Sequence, residues 1–142
     1  YFCGLAVTTA RGFVMCPARA IREALSGAPP LVALPADRDV PLTAFLEHLA
    51  REISVLDGGA HRVQIDELLR VSGHGLAAHQ VSPSLALALL QLDHEEEIFL
   101  ADRAGDVATR LSLLGRDGQV VKTASHVRRG AIRRRAAEGA RR

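Results

Sequence analysis

Residues 92–125 constrain the fold of this chain more than any other stretch of its sequence. A short apolar run at 98–101 ends at Asp102, an amphipathic run covers 107–114, and a second apolar run covers 119–123, with glycine-containing turns between them. This order of strand, helix and strand is typical of the βαβ unit of a parallel sheet. Open α/β sheets bind their ligands at the carboxyl ends of the strands, so Asp102 is predicted to lie at a ligand-binding edge.

The rest of the chain continues the alternation of strands and helices. The apolar run at 31–34 and the alternating run at 62–65 are predicted strands, and the second ends at Asp66. Helices are predicted at 18–25, 41–55 and 83–92, where apolar side chains recur every three or four residues. The sequence therefore predicts an α/β fold with an open, mostly parallel sheet and helices on both faces, preceded by a small N-terminal hairpin and helix.

Composition changes divide the chain into three predicted segments. Residues 1–30 form a hairpin-helix segment, 31–125 form the α/β domain after Pro29-Pro30, and 126–142 form a basic C-terminal helix or tail. The last segment holds seven Arg and one Glu, so its net charge is +6. Because the net charge of the whole chain is +2, residues 1–125 carry −4. Because the chain does not begin with Met, we expect a fragment of a longer protein, with its other domains as partners and self-association as a further option.

Composition also narrows the cellular setting. No run of about 18 apolar residues occurs, so we expect no membrane span, and the first residues do not resemble a signal peptide. The two cysteines, Cys3 and Cys16, have no metal-ligand spacing and are too few for a disulfide framework. We expect them to be reduced and buried in a cytoplasmic protein.

The loop after Leu34 stands where a phosphate-binding loop would lie in a P-loop fold. It contains Asp37 and Asp39 but no glycine and no lysine, both of which a phosphate-binding loop requires. The sequence therefore predicts a fold like that of P-loop ATPases without the phosphate loop, and it does not favour nucleotide hydrolysis. We expect no cofactor.

Four aspartates are candidate ligand-binding residues near predicted sheet edges: Asp37, Asp66, Asp102 and Asp106. Asp102 with Asp106 has the carboxylate chemistry that Mg²⁺ prefers. The interpretation we favour is that Asp102 accepts backbone N–H groups in the following turn. His74 and His79 are interpreted as ordinary loop histidines, Glu95 to Glu97 as a solvated helix end, and no catalytic or metal-binding residue is predicted.

The basic segment contains a cluster of five arginines: Arg128, Arg129, Arg133, Arg134 and Arg135. Such a cluster can contact nucleic acid, an anionic membrane or an acidic partner, or can form a solvated terminal helix. No aromatic side chains are interleaved with the arginines to stack on bases. Nucleic-acid binding is therefore not the interpretation we favour.

The middle of the chain resembles a known family. Leu31-Val32-Ala33-Leu34-Pro35, the following Asp39-Val40-Pro41-Leu42 and the helix at 45–53 are similar to the opening of a linker domain in bacterial patatin-like phospholipases of the neuropathy target esterase type. Residues 85–102, in which an acidic helix end runs into a strand and Asp102, are similar to a later part of that domain. The resemblance covers residues 31–124, and 8–30 resemble the end of a preceding cyclic-nucleotide-binding domain. The nucleophile elbow and oxyanion loop of the patatin hydrolase do not occur in this sequence.

These observations lead to one functional expectation and two alternatives. We expect a non-catalytic regulatory or interaction domain with a degenerate nucleotide-binding fold, and the resemblance implies that it belongs to a larger regulated lipid hydrolase, a phospholipase or esterase. One alternative is a small Mg²⁺-dependent enzyme that uses the strand-end aspartates. The other is a nucleic-acid-binding module that uses the arginine-rich segment.

Overall fold

The structure, a computed structural model, describes residues 5–10, 12–73 and 75–130. The described helices are α1 (Ala18–Ser26), α2 (Leu42–Glu52), α3 (Ala60–Val71) and α4 (Pro83–His94), together with one 3₁₀ turn at Val107–Thr109. The described strands are β1 (Ala6–Thr9), β2 (Gly12–Met15), β3 (Val40–Pro41), β4 (Gln80–Val81), β5 (Ile98–Ala101), β6 (Leu111–Leu114), β7 (Val120–Ala124) and β8 (His126–Arg129).

The strands form one hairpin and two three-stranded sheets. β1 and β2 pair as the antiparallel hairpin. The first sheet has the order β3-β8-β5 and is antiparallel throughout. The second has the order β4-β6-β7, in which β4 runs parallel to β6 and β6 runs antiparallel to β7.

The α/β fold class and the N-terminal hairpin and helix are confirmed, but the sheets are not mostly parallel. The strands after α4 are joined by connections too short to carry a crossover helix, which a parallel pair requires. β6 and β7 are joined by a tight turn in which the Gly115 N–H donates to the Gln119 carbonyl at 2.7 Å, so they pair as a hairpin. β7 and β8 are separated only by Ser125 and lie in different sheets.

Three elements predicted within residues 31–114 differ from the structure. Residues 62–65 were predicted as a strand but belong to α3, because a four-residue alternation also fits a helix whose faces are both exposed. The run at 107–114 is a 3₁₀ turn and then β6, so the predicted helix of the βαβ unit is wrong. Residues 31–34 lie outside the described strands, although Val32 is fully buried there and donates its N–H to the carbonyl of Ala24.

The beginning of the basic segment is a strand. His126–Arg129 is β8, the central strand of its sheet, and not the start of a terminal helix. Val127 is fully buried there, which a strand placed between two neighbours explains. Residues 131–142 lie outside the described part of the chain.

The apolar core joins α1, α2 and α4 to both three-stranded sheets. Its largest fully buried side chains are contributed by these helices and by strands of both sheets: Ile21, Leu42, Leu49, Leu85, Leu89, Leu92, Ile98, Leu113, Val81 and Val127. α3 differs from the other helices because none of its residues is buried. Within the described residues no helix is long and apolar enough to cross a membrane.

The start of α3 is held by the backbone of Ser54. Gly59 is the N-cap residue and has no side chain to accept the first N–H groups of the helix. The Ser54 carbonyl instead accepts N–H bonds from His61 at 3.1 Å and Arg62 at 3.2 Å. A Cβ at position 59 would overlap this carbonyl, so the close approach requires glycine.

Candidate functional site

The predicted strand-end carboxylate Asp102 follows β5 as expected, and both of its oxygens have partners. Arg110 Nε donates to Asp102 Oδ1 at 2.8 Å, and Thr123 Oγ1 donates to Asp102 Oδ2 at 2.7 Å. The hydrogen bond from Thr123, and then the positive charge of Arg110, lower the pKa of Asp102 below its usual value. These partners are side chains rather than the backbone N–H groups of the following turn. The arrangement joins β5, β6 and β7.

Asp106 lies near a serine and a histidine without forming a catalytic triad. His126 Nδ1 is 2.9 Å from Ser125 Oγ and 3.6 Å from Asp106 Oδ2, so both neighbours lie next to the same ring nitrogen. A triad requires the serine and the acid on opposite ring nitrogens. Ser125 is fully buried, and its hydroxyl accepts the N–H of Arg103, so this hydroxyl joins the ends of β5 and β7.

The remaining predicted aspartates form no hydrogen bond or ion pair with the Asp106, Ser125 and His126 side chains. Asp37 is exposed in the loop before β3, and Asp66 lies on α3, not at the end of a strand, where it forms an ion pair with Arg62 at 2.8 Å. Among residues 5–10, 12–73 and 75–130, no group of three or more His, Cys, Asp and Glu side chains could hold a metal ion.

The arginines and glutamates around β8 are largely engaged in contacts within the domain. The Arg128 guanidinium lies 5.2 Å from the centre of the Phe99 ring. Arg129 is partly buried, and burial lowers its pKa. Glu95 and Glu97 both form ion pairs with Arg22, so the predicted solvated helix end is in part a bridge to α1. Arg133, Arg134 and Arg135 lie outside the described residues.

The predicted loop histidines and cysteines are placed only in part. His79 is exposed and has a positive φ of 64° immediately before β4. Cys16 is a free, buried thiol, as predicted, and lies 3.4 Å from the Gln91 side-chain oxygen. His74 and Cys3 lie outside the part of the chain that the structure describes.

A pocket that the sequence did not predict lies between α2 and the edge strand β4. Its volume is about 680 Å³, within the range of about 300–1,000 Å³ that small-molecule sites occupy. One wall is a single stripe of α2 and its C-terminal extension. The opposite wall comes from β4, β6, the loop before α3 and the first residue of α3. The lining residues are Thr43, Leu46, Glu47, Ala50, Arg51, Ser54, Asp57, Gly58, Ala60, Gln80, Val81 and Leu111.

The pocket combines an apolar wall with charged groups. Leu46, Ala50, Val81 and Leu111 supply the apolar surface, and Glu47, Arg51 and Asp57 supply the charges. Small-molecule sites have this composition, because apolar walls bury the ligand and a few polar groups orient it.

Asp57 also closes the free edge of β4. Its Oδ2 accepts the backbone N–H of Ser82 at 2.7 Å, and the N–H of Gln80 is donated to the Ala77 carbonyl at 3.2 Å. An added peptide strand needs such edge N–H groups as donors. The arrangement therefore suits a compact ligand better than an extended peptide that pairs with β4.

The sequence carried one signal for this pocket. Glu47 and Arg51 lie one turn apart outside the apolar stripe of α2, and Thr43 lies one turn before Glu47. The opposite wall depends on the parallel pairing of β4 with β6, and neither strand was predicted. The pocket could not be found without that pairing.

A comparison with protein-family models found one match, described as DpdG-like, over residues 1–106. This match contradicts the resemblance to the linker domain of patatin-like phospholipases. The cyclic-nucleotide-binding and lipid-hydrolase assignments, which that resemblance implied, are therefore withdrawn. The resemblance rested on apolar and acidic patterns, and the apolar run at 31–34 with which it began is not a strand. Comparisons with the curated proteins and with the solved structures gave no match. Because the matched region covers well over half of its 142 residues, the chain belongs to the DpdG-like family.

Proposed function

We propose that this chain is a binding domain without catalysis of its own, and that its ligand site is the pocket between α2 and β4. The observation that carries the proposal is the pocket itself, about 680 Å³ in volume and lined by both apolar and charged side chains. We propose a regulatory or interaction role, in which occupancy of the pocket is communicated to a partner.

The neighbouring polar clusters support a structural role for the predicted aspartates. Asp102 is engaged by Thr123 and Arg110, and Asp66 by Arg62, so these carboxylates are committed to contacts between and within elements. A Mg²⁺-dependent enzyme would need several carboxylate oxygens directed to one point. The strand-end aspartates are therefore a weaker basis for function than the pocket.

A nucleotide is not the ligand we propose. The loop after Leu34, where a P-loop fold would bind phosphate, carries the negative charges of Asp37 and Asp39, which repel a phosphate group. Asp39 forms an ion pair with Arg103 at 2.8 Å. Nucleic-acid binding through the arginine cluster remains an alternative that we do not favour. Association with other domains of a longer chain, self-association and a cytoplasmic location remain predictions. The free, buried thiol of Cys16 is compatible with a reducing compartment.

Closing the pocket with a bulky side chain tests the proposal. Thr43→Trp places an indole in the pocket, and Ala44→Trp places the same group on an exposed position of α2 that does not line it. In a thermal-shift screen of a fragment library, we expect the compounds that stabilise the natural protein to stabilise Ala44→Trp equally and to lose their effect on Thr43→Trp.

Two results would reject the pocket as the ligand site. The first is a set of hits that stabilise Thr43→Trp as much as the natural protein. The second is the absence of any stabilising fragment for the natural protein. Circular dichroism of both tryptophan variants establishes that each retains its helices.

A further inference from the structure

Resting on the pocket proposed above, we infer that its ligand is a small zwitterion that carries an ammonium and a carboxylate, as a free amino acid with an apolar side chain does. The inference follows from three charged side chains of both signs that surround the apolar wall. Each of them has capacity for a ligand.

Glu47 and Arg51 are charged groups without partners among the described residues. They lie one turn apart on α2, with the glutamate on the N-terminal side, an order that normally favours an ion pair. They nevertheless form no ion pair or side-chain hydrogen bond with each other or elsewhere in residues 5–10, 12–73 and 75–130. Both charges are therefore available at the mouth of the pocket.

Asp57 supplies a second, partly buried acceptor. Its Oδ2 holds the Ser82 N–H, and Oδ1 is left for a donor from the ligand. Glu47 and Asp57 are thus two carboxylates that line the pocket and can accept from an ammonium group, which donates three hydrogen bonds.

Arg51 and Gln80 are hydrogen-bond donors that line the pocket. The side-chain oxygen of Gln80 accepts the N–H of Ala77 at 2.9 Å, so its amide NH₂ is the part left to donate. The planar guanidinium of Arg51 matches a carboxylate with two parallel hydrogen bonds. A ligand carboxylate therefore has donors from both walls of the pocket.

The apolar wall selects the rest of the ligand. Leu46 and Ala50 on α2 line the pocket together with Val81 and Leu111 on β4 and β6, and Val81 and Leu111 are themselves buried. An aliphatic or aromatic side chain would be removed from water between them. These groups together favour an amino acid over a purely cationic or purely anionic ligand.

A series of related ligands tests this inference by isothermal titration calorimetry with the whole chain. The probes are L-valine, L-leucine, L-isoleucine, L-methionine and L-phenylalanine, and for each one the analogue lacking the carboxylate and the analogue lacking the amine. For leucine these are 3-methylbutan-1-amine and 4-methylpentanoate. We expect at least one amino acid to bind, and each of its analogues to bind at least about tenfold more weakly, since each loses a charge-assisted contact.

Charge-removing variants test which side chain binds the ligand carboxylate and which binds the ligand ammonium. Arg51→Gln should weaken the amino acid and the carboxylate analogue while leaving the amine unchanged, and Glu47→Gln should weaken the amino acid and the amine. Arg116→Gln is the matched control, because Arg116 is exposed in the turn between β6 and β7 and does not line the pocket.

The outcomes separate this inference from the proposed function. The zwitterion is rejected if no amino acid of the series binds, or if either analogue binds as tightly as its parent. If fragments bind in a manner that Thr43→Trp abolishes while the amino acids do not bind, the pocket stands and the ligand class is wrong. If neither class binds, both fail.

Discussion

At the scale of single residues, Asp102 shows how a carboxylate at the end of a strand can have a structural role. The sequence correctly placed it after a strand. The ligand-binding edge predicted there required a parallel sheet, and β5 pairs antiparallel with β8. It could not indicate that Thr123 and Arg110 would engage both oxygens. Thr123 lies on β7 and Arg110 immediately precedes β6, and the positions of both strands depend on the tertiary fold.

Removing the Thr123 hydroxyl should raise the pKa of Asp102. Thr123→Val deletes the hydrogen bond that lowers it most, so we expect the value to move toward that of a free aspartate while Arg110 still holds it below. Carboxyl-carbon NMR across a pH titration measures the shift. Thr109→Val is the control, because the Thr109 hydroxyl bonds the Asp106 carbonyl and not Asp102. An unchanged pKa in Thr123→Val would show that this hydrogen bond is not formed.

The lowered pKa of Asp102 determines how its contribution to folding stability depends on pH. A carboxyl with a lowered folded-state pKa stabilises the fold above its unfolded-state pKa, and the contribution is lost as the pH falls through the folded-state value. The melting temperatures of the natural protein and of Asp102→Asn should therefore differ at neutral pH and converge in acid. A difference that persists unchanged in acid would have another origin.

At the scale of secondary structure, helices that face the core were predictable and exposed ones were not. α1, α2 and α4 carry apolar side chains at helical spacing, and all three were predicted near their observed positions. α3 has no buried residue, so no core-facing stripe distinguished it from a strand. The run at 107–114 was predicted as a helix and contains a strand. Its apolar residues fit both the helical and the strand period, and only the hairpin turn after Leu114 distinguishes the two.

α3 should be the least protected of the helices. Helices of about 12 residues are marginal in water and depend on packing. α3 and α4 have equal lengths of 12 residues, but α4 has five buried residues and α3 has none. The Leu68 and Val71 side chains are 74% and 91% exposed. In hydrogen–deuterium exchange under native conditions, the amides of α3 should exchange well before those of α4. Equal protection in both helices would require a contact that holds α3 in place.

At the scale of the whole molecule, the chain is an α/β domain whose connections make most strand pairs antiparallel. The predicted ligand-binding edge depended on a parallel sheet, and the observed parallel pair, β4 with β6, lies elsewhere. This pair forms one wall of the pocket, and α2 forms the other. The sequence predicted the helix, and the fold determined what it faces.

The most direct test of the binding-domain account is to map small fragments onto the protein by ¹H–¹⁵N correlation spectra. We predict that the amide shifts perturbed by binding fragments cluster on Thr43, Leu46, Val81 and Leu111, the residues through which both walls line the pocket. Perturbations centred on the turn between Asp102 and Asp106, or no reproducible cluster at all, would contradict the assignment of the α2–β4 pocket as the functional site.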